Sequence, residues 1–140
     1  IMLDLADRLN FGLQKRKDIA SRQSISLDFM DHIIARLKTA GLIEIIRGPK
    51  GGLRLAKQTT KISVWDVFSA TEDKLLPVRC LRDSKECKAH ADCISYEAWH
   101  RVFLAIQDSL HQITLESLLL KEQLTTWSDD KPRQAQIKSL

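Results

Sequence analysis

The sequence predicts a mainly α-helical chain with one small β-hairpin wing: a winged helix-turn-helix joined to a long dimerisation helix. Three observations lead there. Two short helical segments separated by a tight turn occupy residues 17–40, and a basic, glycine-rich hairpin follows directly over residues 43–55. A single run with apolar residues at helical spacing then extends from Ser95 to Ile113.

The first element is short. Met2, Leu5, Ala6 and Leu9 stand at helical spacing. The pattern is already under way at Ile1 with no capping residue before it, so the helix is expected to begin upstream. Lys17-Asp18-Ile19-Ala20-Ser21-Arg22 reads as a second helix and Gln23-Ser24-Ile25 as the turn. Ser26 is a favourable N-cap for the third helix, with Asp28 well placed against its positive end. Leu27, Met30, Ile34 and Leu37 make one apolar stripe, and Gly41 stands where a left-handed C-cap ends the helix. Asp28, Asp31, His32 and Arg36 remain on the other side. In a helix-turn-helix the N-terminal part of the second helix enters the major groove, which makes these residues candidate DNA contacts. A plain helical hairpin in a bundle would show much the same pattern.

The next segment favours DNA. Ile43-Glu44-Ile45-Ile46-Arg47 has strand character, Gly48-Pro49-Lys50-Gly51-Gly52 is a turn, and Leu53-Arg54-Leu55 is a second strand. Arg47, Lys50 and Arg54 supply cations for phosphate, while glycines such as Gly51 let backbone lie close to it. A basic hairpin directly after a recognition-type helix is a wing. Ser63-Val64-Trp65-Asp66 then forms a capping box, with Ile62 and Val67 placed for a hydrophobic staple, and predicts a helix to about Ala70 in which Trp65 is core.

From Ser95, the residues Trp99, Val102, Phe103, Ile106, Leu110 and Ile113 recur at steps near 3 and 4. This offers more apolar surface than one winged helix covers, so a partner helix from a second copy is expected; intramolecular packing is the alternative. Thr114-Leu115-Glu116 opens a further segment, and Ser128–Leu140 is a polar tail. The expected organisation is a winged reader over 1–70, a cysteine-bearing, cluster-binding loop over 71–94, a dimerisation region over 95–127 and the tail over 128–140.

Composition bounds the function. With 140 residues, 44% of them hydrophobic, the chain can bury a core without disulfides. No apolar run approaches the roughly 18–20 residues of a membrane span, and the acidic start Asp4 and Asp7 is unlike a signal peptide, so a cytoplasmic location is expected. Residues 1–61 carry 12 Lys+Arg against 6 Asp+Glu, and the remainder 10 against 12, which confines a nucleic-acid footprint to one end. There is no glycine-rich nucleotide loop and no Ser/His/Asp constellation; His90, His100 and His111 are dispersed. The chain does not read as an enzyme.

All three cysteines, Cys80, Cys87 and Cys93, fall between the reader and the long helix. Their spacing differs from zinc ribbons and from ferredoxin runs, yet three thiols within fourteen residues can converge on one metal. Arg79, Arg82, Lys85 and Lys88 favour the thiolate form that both ligation and oxidation need. Spacing alone leaves open a metal or cluster site, redox-active thiols and inert residues. Zinc through the three cysteines and His90 is the competing metal site.

With those residues in view, the chain resembles the Rrf-two family of winged helix-turn-helix transcriptional regulators, in particular its iron–sulfur cluster regulators of the IscR and NsrR type. The likeness covers about residues 2–120. It rests on Met2-Leu3-Asp4-Leu5-Ala6, Asp18-Ile19-Ala20, Ile25-Ser26-Leu27, Ala40-Gly41-Leu42, the wing Arg47-Gly48-Pro49-Lys50-Gly51-Gly52, Ile62-Ser63-Val64-Trp65-Asp66-Val67 and Ile113-Thr114-Leu115. The resemblance implies that Cys80, Cys87 and Cys93 ligate an iron–sulfur cluster, 2Fe–2S or 4Fe–4S. It also places Ser26, Asp31 and His32 at recognition-helix positions that meet DNA, and Arg47 at the wing arginine. The first cysteine spacer is one residue longer than usual in the cluster-assembly regulators, and Tyr96 stands where those carry a histidine ligand. His90, Asp92 or an oxygen ligand from upstream of Ile1 or from a partner chain would then complete the site. The expected protein is a homodimeric repressor that binds a double-stranded DNA operator and senses iron–sulfur status, nitric oxide or redox state. The alternatives are a cluster-free thiol switch and a zinc-binding interaction module.

Overall fold

The structure is a computed structural model and describes residues 1–72, 78–82 and 93–124, with 79, 82 and 121–124 described by backbone alone. The order is α1 (Met2–Asp7), α2 (Arg16–Arg22), α3 (Leu27–Thr39), β1 (Ile43–Ile46), β2 (Gly52–Leu55), α4 (Val64–Thr71), α5 (Arg79–Arg82), α6 (Ile94–Gln112) and α7 (Leu115–Leu124). Among the described residues no helix is long and apolar enough to cross a membrane.

Local chemistry explains most boundaries. The α2–α3 turn is a Schellman motif in which Ile25 N–H donates to Ala20 O and Ser24 N–H to Ser21 O. Ser24 holds the left-handed position at φ 53° without being glycine. Ser26 caps α3 by accepting from Phe29 N–H at 3.2 Å. A second Schellman motif closes α3, with Gly41 at φ 66° and Leu42 N–H donating to Leu37 O. Met30, Ile34 and Leu37 are buried as the stripe predicts, whereas Leu27, in the first turn, is 37% exposed.

The hairpin pairs Ile43 with Leu55, Glu44 with Arg54, Ile45 with Leu53 and Ile46 with Gly52. A third segment joins it: Gln14 N–H donates to Leu53 O at 3.0 Å and Leu53 N–H to Gln14 O at 2.8 Å. A Cβ on Gly52 would lie 2.8 Å from Gln14 O, so this close approach requires glycine.

The α4 capping box forms as predicted, with Ser63 N–H donating to Asp66 Oδ2 at 2.8 Å and Asp66 N–H to Ser63 Oγ at 3.1 Å. Thr114 and Ser117 make the matching box at α7: Thr114 N–H donates to Ser117 Oγ, and Ser117 N–H to Thr114 Oγ1. The two helix starts are stitched together, since Val64 N–H donates to Ile113 O at 2.8 Å and Leu115 N–H to Ile62 O at 3.0 Å.

One core unites the reader. Ile19, Met30, Leu37, Leu42, Ile43, Leu53 and Ile62 are buried with Met2 and Leu5 of α1, and Leu115 of α7 is buried among them. α7 packs against α1, which brings Leu115 at its start into the same core. The segment expected to be loop between 71 and 94 contains a helical turn, α5, and its last residue already lies in α6. No residue of α6 is buried; it packs mainly against α4 and α5. Trp65, expected as core, is only half-buried; it packs edge-on against Phe103 at 5.8 Å and tilted against His111 at 5.6 Å.

Candidate nucleic-acid interface and thiol segment

Helical geometry sets what α3 presents. Opposite Met30, Ile34 and Leu37 lie Asp28, His32, Ala35 and Thr39, all exposed. Ser26 spends its hydroxyl on the cap. Asp31 sits on the flank facing α2, where Arg16 Nη1 donates to both carboxylate oxygens at 2.6 and 2.7 Å. Arg36 sits on the opposite flank and donates through Nη1 to the carbonyl of Thr71 at 2.6 Å. The exposed face of α3 therefore brings Asp28 and His32 together, with Asp31 held by a cation and Arg36 turned toward α4.

The wing is shaped by backbone demands. Gly48 adopts φ 113°, Gly51 N–H donates to Gly48 O at 2.9 Å, and a Cβ on Gly51 would overlap Ile46 O at 2.2 Å. Arg47 and Lys50 are exposed at this tip. Arg54 is on the strand, where its Nε donates to Glu44 Oε2 at 2.7 Å across the hairpin, so its charge is largely answered within the protein.

Arg16 was not anticipated as part of this surface. The basic run Lys15-Arg16-Lys17 was its only trace in the sequence, because the pairing with Asp31 spans fifteen positions. Behind the reader, Arg22 grips the nearly buried Asp4 through two hydrogen bonds at 2.7 and 2.8 Å and reaches Gln14 Oε1 at 3.2 Å. The Arg22 guanidinium holds the Asp4 carboxyl below its ordinary value, against the opposing effect of burial. This network ties α1, α2 and the segment that pairs with the wing.

Cys80 lies on α5 and Cys93 immediately precedes α6, where its carbonyl accepts from Tyr96 N–H at 3.1 Å. Both thiols are half-buried and free, and α5 packs against α6. Tyr96 stacks on His100 with 5.7 Å between centroids. Cys87, His90 and Asp92 lie outside the described residues. Among the described residues no group of three His, Cys, Asp or Glu side chains is assembled for a metal. In kind the donors still fit an iron–sulfur cluster: two unbridged thiols stand on elements that touch.

A family model described as "Rrf2: Iron-dependent Transcriptional regulator" matches residues 1–121. The chain belongs to the Rrf2 family. It is 35% identical over 118 residues to an HTH-type transcriptional regulator of Neisseria meningitidis serogroup A, covering 84% of this chain and 79% of that protein. It is 33% identical to the HTH-type transcriptional regulator IscR of Photobacterium profundum, covering 84% and 68%. Among solved structures, T. potens IscR superposes with a TM-score of 0.68 at 30% identity, covering 86% of this chain and 78% of that one. CymR, titled the global cysteine regulator of B. subtilis, gives 0.66 at 29% identity, covering 86% and 88%. The fold is thus the winged helix of Rrf2 regulators, and the chain is a transcriptional regulator and not an enzyme. DNA binding, as its surface anticipates, follows from that membership.

Proposed function

We propose that this Rrf2 regulator is a homodimeric repressor whose operator affinity is set by an iron–sulfur cluster on Cys80, Cys87 and Cys93. The observation that carries the reading is the placement of Cys80 on α5 and Cys93 at the start of α6, two free thiols on packed elements that border the reader through α4. His90 or Asp92 would complete the ligand set. When bound, the cluster would supply an inorganic cross-link between the start and the end of the cysteine segment.

The chain's own residues do the reading. Asp28 and His32 on the open face of α3 reach base edges, where a carboxylate accepts from cytosine N4 and an imidazole from exocyclic amines. Asp31 joins them once Arg16 turns to phosphate, and Ser26 brings the helix terminus to the backbone. Arg47 and Lys50 hold phosphates beside the wing, Gly51 admits the close approach, and Arg54 adds its charge where Glu44 releases it. Exposed Trp99, Val102 and Ile106 on α6 supply the pairing face for a second copy. Two readers then meet half-sites about 34–36 Å apart, so a small rotation of each subunit abolishes simultaneous docking.

Protein purified without oxygen should be coloured and contain iron and sulfide, and replacing any one of the three cysteines with Ala should bleach it. Colourless protein with stoichiometric zinc under the same conditions would refute the cluster. The free state of Cys80 and Cys93, together with the likeness to CymR, supports a second reading, a metal-free thiol switch. That version expects metal-free reduced protein to bind the operator fully, to lose it with peroxide and to regain it with reductant.

A further inference from the structure

We propose that Arg36 is a positioning residue, which couples the thiol segment to the reading helix, and not a DNA ligand. The inference rests on the sensor reading above.

Thr71 is the last residue of α4, and its carbonyl has no intrahelical donor to accept from. The Arg36 guanidinium fills that vacancy from α3 at 2.6 Å in a partly buried position. To reach a phosphate the side chain would have to abandon a charge-assisted hydrogen bond. At its other end α4 meets α6, through Trp65 against Phe103 and His111. α6 in turn starts just after Cys93, its N-cap residue, and carries α5, with Cys80, against its side. The described residues thus form an unbroken path from both thiols through α6 and α4 to the reading helix.

The last link differs from the others. Val67 and Ala70 of α4 pack on the core that holds α3, and apolar contacts of this kind are non-directional and permit sliding. A guanidinium–carbonyl bond has a preferred distance and angle. Movement of α4 along α3 would therefore turn α3 only while Arg36 holds Thr71. Thr71 is also the residue after which the chain departs toward Cys80.

The test compares wild type with Arg36→Met, which keeps the apolar stem, and Arg36→Lys, which keeps one donor. Each is titrated with a duplex that wild type selects from a random pool, once as anaerobically isolated and once after iron chelation under reducing conditions. Coupled sites ordinarily differ about 5–150-fold between states. The proposal expects Arg36→Met to collapse the wild-type ratio to within about twofold of one, and Arg36→Lys to retain part of it. The salt slope of Arg36→Met should match wild type, whereas loss of a phosphate ligand would lower its magnitude by about 0.9. Thermal melts of the three proteins check that all are folded. A preserved ratio in Arg36→Met, or a reduced salt slope, overturns the proposal and leaves the sensor reading standing. A wild-type ratio of one overturns both.

Discussion

Gly52→Ala sets two physical effects of opposite sign against each other. Gly52 does not occupy the left-handed region, so Ala there costs no backbone strain and stabilises by restricting the unfolded chain, by about 0.4–1 kcal/mol. The new methyl, however, would sit 2.8 Å from Gln14 O and 3.1 Å from both Gln14 C and Leu13 Cβ. Ordinary carbon contacts lie near 3.5–4.0 Å, so the Gln14 segment must retreat. That lengthens or breaks the two Gln14–Leu53 hydrogen bonds, each contributing about 0.5–1.5 kcal/mol. With both bonds lost the steric term wins, for a net loss of up to about 2.6 kcal/mol and a Tm lower by up to roughly 10 °C. Thermal unfolding followed by circular dichroism reads the stability, and amide exchange at Gln14 and Leu53 reads the mechanism. A variant as stable as wild type, with both amides still protected, would refute the account of the third segment.

Acid stability should report the Asp4–Arg22 pair. The folded pKa of Asp4 is depressed, so its contribution is fully present above the unfolded value of about 3.9 and is lost as pH falls through the folded one; Asp4→Asn should be less stable at neutral pH and flatten that acid limb in pH-dependent denaturation. Arg47→Ala and Lys50→Ala should each weaken binding to unrelated duplexes alike and lower the magnitude of the salt slope by about 0.9 in fluorescence titrations; an unchanged slope removes that residue from the phosphate contacts. Ile106→Glu, at a position 47% exposed on α6, should yield monomers in analytical ultracentrifugation with helix content intact; a persisting dimer would place the pairing face elsewhere.

What could be read in advance from the sequence was what is decided within a few residues. Ser26, Gly41 and the Ser63–Asp66 box announce themselves because each partner is at most three or four positions away. The candidate interface residues divide along the same line. The exposure of Asp28 and His32 follows from the period of α3 and the Gly-Pro-Lys-Gly-Gly tip from turn chemistry. The engagement of Arg36 by Thr71, of Asp31 by Arg16 and of Arg54 by Glu44 depends on how elements meet, and no periodicity encodes it. Trp65 shows the same limit: an apolar residue in a capped helix predicts burial, but α6 covers only one side of it. Gln14 carries no strand signal at all, and only the missing side chain at Gly52 betrays its approach.

The paired backbone at Ile62–Val64 and Ile113–Leu115 closes the chain on itself like the neck of a purse. The chain between those points leaves and re-enters the reader at one doorway, with Ile62 and Leu115 buried on its two jambs and α4 packed on the core beside them. Beyond α4, a stretch bounded in this way can be traded for one of different length or chemistry while the fold around it keeps its shape. What such a change must leave intact is the hinge of the door, not the room behind it.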